Sequence, residues 1–261
     1  MDPIPVKTEA EVEALRRSAQ LLVRTFRAVE PLLLPGTTTL ELNERARETI
    51  RSGGGEPAFK NYHGYPADIC VSINEQVVHG IPGKHKIKKG DLVSLDIGVK
   101  FEGFFTDAAK TYAVGQVSAD VKRLMSATRD AVHRGIGQCR PGKRVSDISH
   151  AIQICVESQG FSVVRSLVGH GIGRDLHETP QIPNYGPPHR GPAIKAGMVF
   201  AVEAMVNMGE HRVRTLSDGW TVETEDGFPS AHFEHTIVIT DENPDVITLG
   251  IEDNGGTGIR G

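Results

Sequence analysis

Apolar residues recur every three or four positions along two early stretches of the chain, and each stretch predicts an amphipathic helix. Thr8 with Glu11 can form a capping box before the first stretch, and Thr38 with Glu41 can form one before the second. The two apolar stripes consist of Val12, Leu15, Ala19, Leu22, Phe26 and Val29, and of Leu42, Ala46 and Ile50.

Short runs rich in β-branched and aromatic residues follow, separated by glycine and proline, and they predict strands. The runs are residues 69–78, 91–99 and 104–114. Two more helical stripes come next, starting after Ser118, a candidate N-cap, and continuing to Gly160. Strand-like sequence returns at residues 161–167, 198–206 and 232–240. The order of elements predicts a mixed α/β domain.

The chain carries signs of an internal duplication. The Pro-Gly pair at positions 35–36 recurs 106 residues later at positions 141–142, and Gly54 recurs as Gly160 at the same offset. Chance recurrence of common turn residues is the alternative interpretation. The matching order of the elements favours duplication, with halves of about 1–115 and 116–250.

Four acidic residues lie inside apolar, strand-like runs, where an unpaired ionised carboxylate is costly. Asp96 and Glu203 stand 107 positions apart, so the duplication makes them equivalent, and each half has a second such acid, Asp107 or Glu234. One buried acid is usually a salt-bridge partner. Four in equivalent places predict a shared centre whose repulsion is neutralised by divalent ions, as in two-metal hydrolases.

Three histidines are candidates for the same centre. His170 stands between glycines, His177 follows seven residues later, and His79 precedes a Gly-Ile-Pro turn. For any one of the 11 histidines an exposed or structural role is the ordinary expectation. The neighbouring glycine and proline residues favour a site for these three.

Composition and charge argue against several classes of protein. A net charge of -4 disfavours a nucleic-acid-binding protein, and no apolar run is long enough to cross a membrane. The N-terminal residues do not resemble a secretory signal. Three widely separated cysteines are typical of reduced thiols, so a cytoplasmic protein is expected.

Four sequence strings resemble those of type I methionine aminopeptidases, in the pita-bread family that also holds prolidases and aminopeptidase P. They are residues 61–66 (NYHGYP), 70–82 (CVSINEQVVHGIP), 169–174 (GHGIGR) and 233–236 (FEHT). The resemblance implies the pita-bread fold, with two pseudo-symmetric ααββ halves and a curved, mainly antiparallel sheet covered by helices. It also implies a single catalytic domain over residues 1–250, and the glycine-rich residues 251–261 are expected to form a flexible tail.

The resemblance also implies a metal-dependent aminopeptidase that removes N-terminal methionine when the second residue is small. Asp96 and Asp107 would hold one divalent ion, and Asp107 and Glu234 would bridge to a second ion completed by His170 and Glu203. A hydroxide between the ions would be the nucleophile. Cobalt, manganese, iron and zinc all suit these ligands.

Other roles follow from the same resemblance. Glu203 would act as general base and acid, while His79 and His177 would bind substrate and stabilise the intermediate. A monovalent cation is implied near Asn74 and Ser230. The residues that would line the methionine pocket are Phe59, Tyr62, Tyr65, Cys70 and Trp220, although core packing is the ordinary interpretation for Cys70 alone.

Four residues depart from the family pattern. Ala204 stands where proline is usual, and Leu176 stands where an aromatic residue often lines the pocket. Phe59 and Val78 stand where some or many relatives have cysteine. These changes remove no ligand, but they can alter the shape of the pocket and with it the preferred side chain.

Alternatives remain within and outside the family. Prolidases and aminopeptidase P usually carry an extra N-terminal domain, for which the first helix leaves no room. Type II enzymes carry a helical insertion, for which the 33 residues from His170 to Glu203 are too few. A non-catalytic binding protein on the same fold is a further alternative. The expected partners are nascent polypeptides, with transient ribosome contact, and the expected state is a monomer.

Overall fold

Within residues 3–252, the part that the computed structural model describes, four α-helices lie where the apolar stripes predict them. Their bounds are Glu9–Val29 (α1), Thr39–Ser52 (α2), Ala119–Ile136 (α3) and Val145–Glu157 (α4). Both capping boxes are formed, at Thr8 and Thr38, and the Ser118 side chain accepts a hydrogen bond from Val121 N. Three of the helices therefore begin where a side chain satisfies a free N–H of the first turn.

The strands form one large and one small antiparallel sheet. Their bounds are Glu56–Pro57 (β1), Cys70–Ile73 (β2), Gln76–Val78 (β3), Leu92–Phe101 (β4), Phe104–Ala113 (β5), Ser162–Val163 (β6), Val168–Gly171 (β7), Glu178–Pro183 (β8), Val199–Asn207 (β9), Val213–Thr215 (β10), Val222–Thr224 (β11), Ser230–Val238 (β12) and Asp245–Val246 (β13). The large sheet runs β1-β4-β5-β12-β9-β7-β8, with β2 beside β4, β6 beside β9 and β13 beside β12. The small sheet runs β10-β11-β3. The predicted mixed α/β architecture is confirmed.

The two halves of the chain repeat the same strand pairing. Glu56 of β1 lies opposite Lys100 of β4, and Ser162 of β6 lies opposite Asn207 of β9. The corresponding residues are 106 and 107 positions apart, as in the sequence repeat. The halves meet where β5 pairs with β12. This register supports an internal duplication, while the division at residue 115 stays a prediction.

Helices cover one face of the large sheet. In the first half α1 packs on β4 and β5, where Leu22 and Phe26 share a core with Ile97. In the second half α3 packs on β9 and β12, where Leu124 shares a core with Phe200. Successive strand residues point to opposite faces, so the other face remains available for polar side chains. None of the helices among the described residues is long and apolar enough to cross a membrane.

Some predicted strands are interrupted and others were missed. Residues 69–78 form β2 and β3, because the chain turns at Asn74 with a φ of 55°. Residues 161–167 contain only the two-residue β6. Strand β8 was missed because its prolines, Pro180 and Pro183, argue against a strand. Strands β10 and β11 have three residues each, too few for a recognisable alternation.

Two histidines fasten the end of the described chain to the sheet. Glu252 Oε1 lies 3.0 Å from Nε2 of His133 in α3 and 3.0 Å from Nε2 of His235 in β12. Ile251 is buried in the 3₁₀ turn Leu249–Ile251. The first two residues of the predicted flexible tail are therefore packed against the domain, and the flexibility of the tail stays a prediction. Residues 253–261 of that tail lie outside the described part.

Replacing Glu252 should reduce stability. Burial acts to raise the pKa of Glu252, but hydrogen bonds from both histidines hold it well below its usual range. Glu252→Gln should therefore lower the free energy of unfolding by about 1 kcal/mol at pH 7. Because the carboxylate pKa is depressed, this loss should be full above pH about 4.5 and shrink as the pH falls further. Urea unfolding measures it, and an equal loss in the exposed Glu242→Gln control would contradict the expectation.

Candidate metal centre and substrate pocket

Every residue proposed for the metal centre or the substrate pocket lines one cavity of about 270 Å³. The metal-ligand candidates in its wall are Asp96, Asp107, His170, Glu203 and Glu234. The other candidates in its wall are Phe59, Tyr62, Tyr65, Cys70, His79, His177 and Trp220. The fold therefore brings together residues that are widely separated along the chain.

Three of the four carboxylates lie in one row across the large sheet. From β2 to β9, the successive partners in this row are Cys70, Asp96, Ala109, Glu234 and Glu203. Side chains that are directly opposite one another point to the same face. Asp96, Glu234 and Glu203 therefore project together from the face opposite the helices, as the duplication predicts for Asp96 and Glu203.

A neighbouring row supplies the other two candidates. Asp107 precedes Ala109 by two residues in β5, and His170 of β7 lies opposite Ala201 of β9. The period of two along a strand places Asp107 on the same face as Glu234. One ligand atom from each of Asp107, His170 and Glu234 falls within a group 4.8 Å across. The alanines leave space between these side chains.

Three of the four carboxylates each have a buried oxygen that no described residue contacts through a hydrogen bond. Among the described residues, Oδ1 of Asp96, Oδ1 of Asp107 and Oε1 of Glu234 are buried without a hydrogen bond. Burial and neighbouring negative charge raise the pKa of Asp96 and Glu234 well above the usual range, and raise that of Asp107 to about 7. Unpaired buried oxygens beside an imidazole fit a divalent metal ion, which would supply the missing positive charge.

Glu203 differs from the other three carboxylates. Burial acts to raise its pKa, but His232 and then His170 lower it below the usual range, so Glu203 stays ionised at neutral pH. His170 lies near one carboxylate oxygen and His232 near the other. Burial lowers the pKa of His170, and its Nδ1 lies 2.9 Å from the Gly171 carbonyl. Nδ1–H therefore donates to that carbonyl and leaves the Nε2 lone pair available for a metal.

The position of His177 is fixed by neighbouring contacts. Its Nδ1 lies 2.7 Å from the Tyr62 hydroxyl, and the two rings stack with centroids 5.2 Å apart. The next residue, Glu178, forms a buried ion pair with Lys7, with Nζ 2.6 Å from Oε2. Burial and nearby His170 lower the pKa of His177 to about 4. The ring is therefore neutral at pH 7 and can donate or accept one hydrogen bond on the cavity side.

His79 enters the cavity from an unusual backbone conformation. Its φ is 58°, in the left-handed region that residues other than glycine rarely adopt. Burial lowers its pKa, so its imidazole is neutral at pH 7. Strained backbone of this kind is concentrated at functional sites, where it aims a side chain that regular structure could not aim.

The cavity has an apolar side opposite the carboxylates. Tyr65 packs edge-on against Trp220 with ring centroids 5.1 Å apart, and its hydroxyl donates to the Gly80 carbonyl at 3.0 Å. Burial raises the pKa of the Cys70 thiol, which therefore stays protonated. Aromatic rings with a thiol favour a long, flexible apolar side chain. Phe59 completes this side of the wall.

The structure also shows where the four residues that differ from the family pattern lie, and where the two residues of the predicted cation site lie. Phe59, Leu176 and Val78 line the cavity, whereas Ala204 is buried in the core beneath the helices. Ala204 therefore cannot touch a substrate. Ser230 N donates to the Asn74 carbonyl at 3.0 Å, so the two predicted cation-site residues are neighbours.

Sequence reasoning missed several residues of the wall. His232 lies two residues before Glu234 in β12 and points to the same face. Glu234 was already a candidate ligand, so the spacing of two residues could have identified His232 from the sequence. The other missed wall residues are Ser166, Leu167, Val168 and Met205. Their positions depend on how β7 and β9 pair, which no local pattern reveals.

Comparison with known proteins identifies the family. The model of metallopeptidase family M24 matches residues 13–241. The chain belongs to metallopeptidase family M24. It is 49% identical to methionine aminopeptidase 1 of Bacillus subtilis (strain 168), over 93% of this chain and 98% of the relative. It is 47% identical to methionine aminopeptidase of Clostridium perfringens, over 94% of this chain and 99% of the relative.

Solved structures agree with the sequence relatives. Methionine aminopeptidase from Thermotoga maritima superimposes with a TM-score of 0.92 at 44% identity, over 94% of this M24 chain and 99% of that chain. Prolidase from Pyrococcus furiosus gives a TM-score of 0.77 at 20% identity, over 93% of this chain but 65% of that one. The prolidase therefore shares the fold. Membership of the metallopeptidase family implies that the protein binds divalent metal.

Removing one carboxylate should stabilise the metal-free M24 protein. The folded-state pKa of Asp107 is raised from 3.8 to about 7. Ionisation of Asp107 in the folded protein therefore lowers the free energy of unfolding. The whole loss is present above pH about 7, and none of it is present below pH about 4. We expect Asp107→Asn to raise metal-free stability at pH 8 by on the order of 2 kcal/mol. The same variant should lose most of the stabilisation that manganese gives the wild type.

Thermal melts at pH 8, with a chelator and with manganese, measure both effects. Asp241→Asn is the matched control, because Asp241 is exposed and outside the cavity. Equal manganese stabilisation of wild type and Asp107→Asn would contradict a role for Asp107 in the centre.

Proposed function

We propose that this M24 peptidase removes the N-terminal methionine from polypeptides whose second residue is small. The observation that carries the proposal is 49% identity, over nearly the whole chain, to a methionine aminopeptidase. The five candidate ligands and the aromatic wall of the same cavity support it. The ligands account for hydrolysis, and the wall accounts for the choice of side chain.

We propose two metal ions per chain, with the ligand sets given by the family resemblance. Bound divalent ions would lower the pKa of water toward neutrality and polarise the scissile carbonyl. Asp107 and Glu234 lie between Asp96 on one side and His170 with Glu203 on the other, an order that suits two bridging carboxylates. Glu203 is ionised at neutral pH, so it can accept a proton from water and later give it to the leaving amine.

The neutral histidines have separate roles in the proposal. His177, oriented by Tyr62, would donate a hydrogen bond to the oxygen that gains charge in the transition state. His79, held by its left-handed backbone, would contact the substrate near its N-terminal end. Tyr65, Cys70 and Trp220 would enclose the methionine side chain, whose thioether packs well against aromatic edges.

The cellular setting follows from the activity. N-terminal methionine is exposed on nascent chains, so we propose that the protein acts in the cytoplasm on polypeptides emerging from the ribosome, with transient ribosome contact. A monomer suffices, because one chain supplies all the residues of the proposed site. A monovalent cation bound near Asn74 and Ser230 is part of the same proposal.

A set of peptides tests the substrate class. Metal-stripped protein is incubated with Met-Ala-Ser, Leu-Ala-Ser, Ala-Pro-Ser and Met-Trp-Ser, with and without manganese or cobalt, and the products are measured by mass spectrometry. We expect metal-dependent loss of methionine from Met-Ala-Ser alone. Cleavage before proline would instead indicate a prolidase-like peptidase. Equal cleavage of Met-Trp-Ser would refute the small second residue.

Replacing His177 separates catalysis from metal binding. We expect His177→Ala to lower kcat on Met-Ala-Ser about 100-fold, because a hydrogen bond to the developing charge is lost. Its metal content should equal that of the wild type, since His177 is outside the ligand set. Tyr62→Phe should have a smaller effect in the same direction. Loss of metal from His177→Ala would show that the assigned role is wrong.

A further inference from the structure

His232 is a buried polar side chain without an assigned role. Only 2% of its surface is exposed, and among the described residues neither ring nitrogen has a hydrogen-bond partner. A buried imidazole without partners is uncommon and calls for a physical explanation. The ring faces the cavity, so its unpaired nitrogens are directed toward the metal and substrate space.

The backbone holds His232 firmly in this place. Thr111 Oγ1 accepts a hydrogen bond from His232 N at 2.8 Å and donates one to His232 O at 2.9 Å. Both contacts cross from β5 to β12, the pair where the two halves meet. The side chain is therefore fixed at its base and can adjust only by rotation about its own bonds.

Glu203 lies between two histidines, each nearer to a different oxygen. Oε1 of Glu203 lies 3.8 Å from Nε2 of His170, and Oε2 lies 3.4 Å from Nε2 of His232. The His170 Nε2 carries a lone pair, so Oε1 and this nitrogen face the same space as two ligands of one ion would. Oε2 is the carboxylate oxygen nearer to His232.

We propose that His232 is a positioning residue for Glu203, donating its Nε2–H to Oε2 so that Oε1 stays directed at the metal. The inference rests on the proposed function, which makes Glu203 a metal ligand and general base. A movement of a few tenths of an ångström would shorten the present 3.4 Å separation to a normal hydrogen bond. Loss of a group that orients a ligand in this way typically weakens metal affinity about 10- to 100-fold.

Direct metal ligation by His232 is the competing role. Its Nε2 lies 4.0 Å from Oε2 of Glu234 but 3.4 Å from Oε2 of Glu203, and Oε1 is the Glu203 oxygen nearer to His170. The contact with Glu203 is therefore the one that the arrangement favours. If His232 acts as a hydrogen-bond donor, another donor of similar length should restore its function. If His232 were a metal ligand, a neutral amide could not restore it, because amides bind divalent metals weakly.

The test compares His232→Leu with His232→Gln, which keeps a donor. Full-length proteins are stripped of metal and titrated with cobalt, recording calorimetric affinity, visible absorption and the number of ions bound. His85→Leu, at an exposed histidine outside the cavity, is the matched control. Thermal melts show whether each variant is folded.

We expect His232→Leu to bind the tighter cobalt ion about tenfold more weakly, with an altered visible spectrum. Its kcat on Met-Ala-Ser should fall about tenfold with KM little changed, since Glu203 is misdirected but the methionine wall is intact. His232→Gln should restore affinity, spectrum and kcat to near the wild type.

Two results would overturn the inference. Wild-type affinity and spectrum in His232→Leu would mean that His232 does not position Glu203. Equal impairment of His232→Gln and His232→Leu would make the ring nitrogen itself a ligand. A failure of the proposed function would look different from both results. In that case the wild type itself would bind cobalt without cleaving Met-Ala-Ser.

Discussion

The gathering of four carboxylates, three of them buried, on one sheet face is the constraint on which the structure depends. Such a cluster is unfavourable in a protein interior unless cations neutralise it, because like charges repel strongly there. This repulsion contributes to the raised pKa values of Asp96, Asp107 and Glu234. The pKa of Glu203 is lowered instead, because histidines lie beside it. The helices on the opposite face bury the apolar side chains that stabilise the sheet carrying this cluster.

The site is connected to the rest of the fold by specific backbone contacts. The Thr236 hydroxyl accepts from Asp107 N and donates to Asp107 O, while Thr236 N donates to the Thr248 hydroxyl. Thr248 in turn contacts His235, which binds Glu252. Strand β5, its neighbour β12 and the end of the described chain therefore form one hydrogen-bonded unit. These bonds restrict movement of the Asp107 backbone.

Local sequence was enough to predict the helices, the cluster of four acids and three candidate histidines, whereas the five-ligand set and the pocket residues came from the family resemblance. Capping residues and helical periodicity are local signals, and an acid within an apolar run is visible without a structure. His232 was missed because only strand alternation and pairing across β12 and β9 place it beside Glu203. Glu252 was missed because its partners, His133 and His235, lie on distant segments, so composition alone suggested a loose tail.

The pairing of β5 with β12 joins the two halves along the row of ligands. Asp96 and Asp107 belong to the first half, whereas His170, Glu203 and Glu234 belong to the second. Neither half alone contains the complete set of proposed ligands, and Asp96 and Glu203 are more than a hundred residues apart in sequence. The proposed centre is therefore complete only once β12, the last long strand, has paired with β5 and β9, and metal binding there would follow the formation of most of the fold.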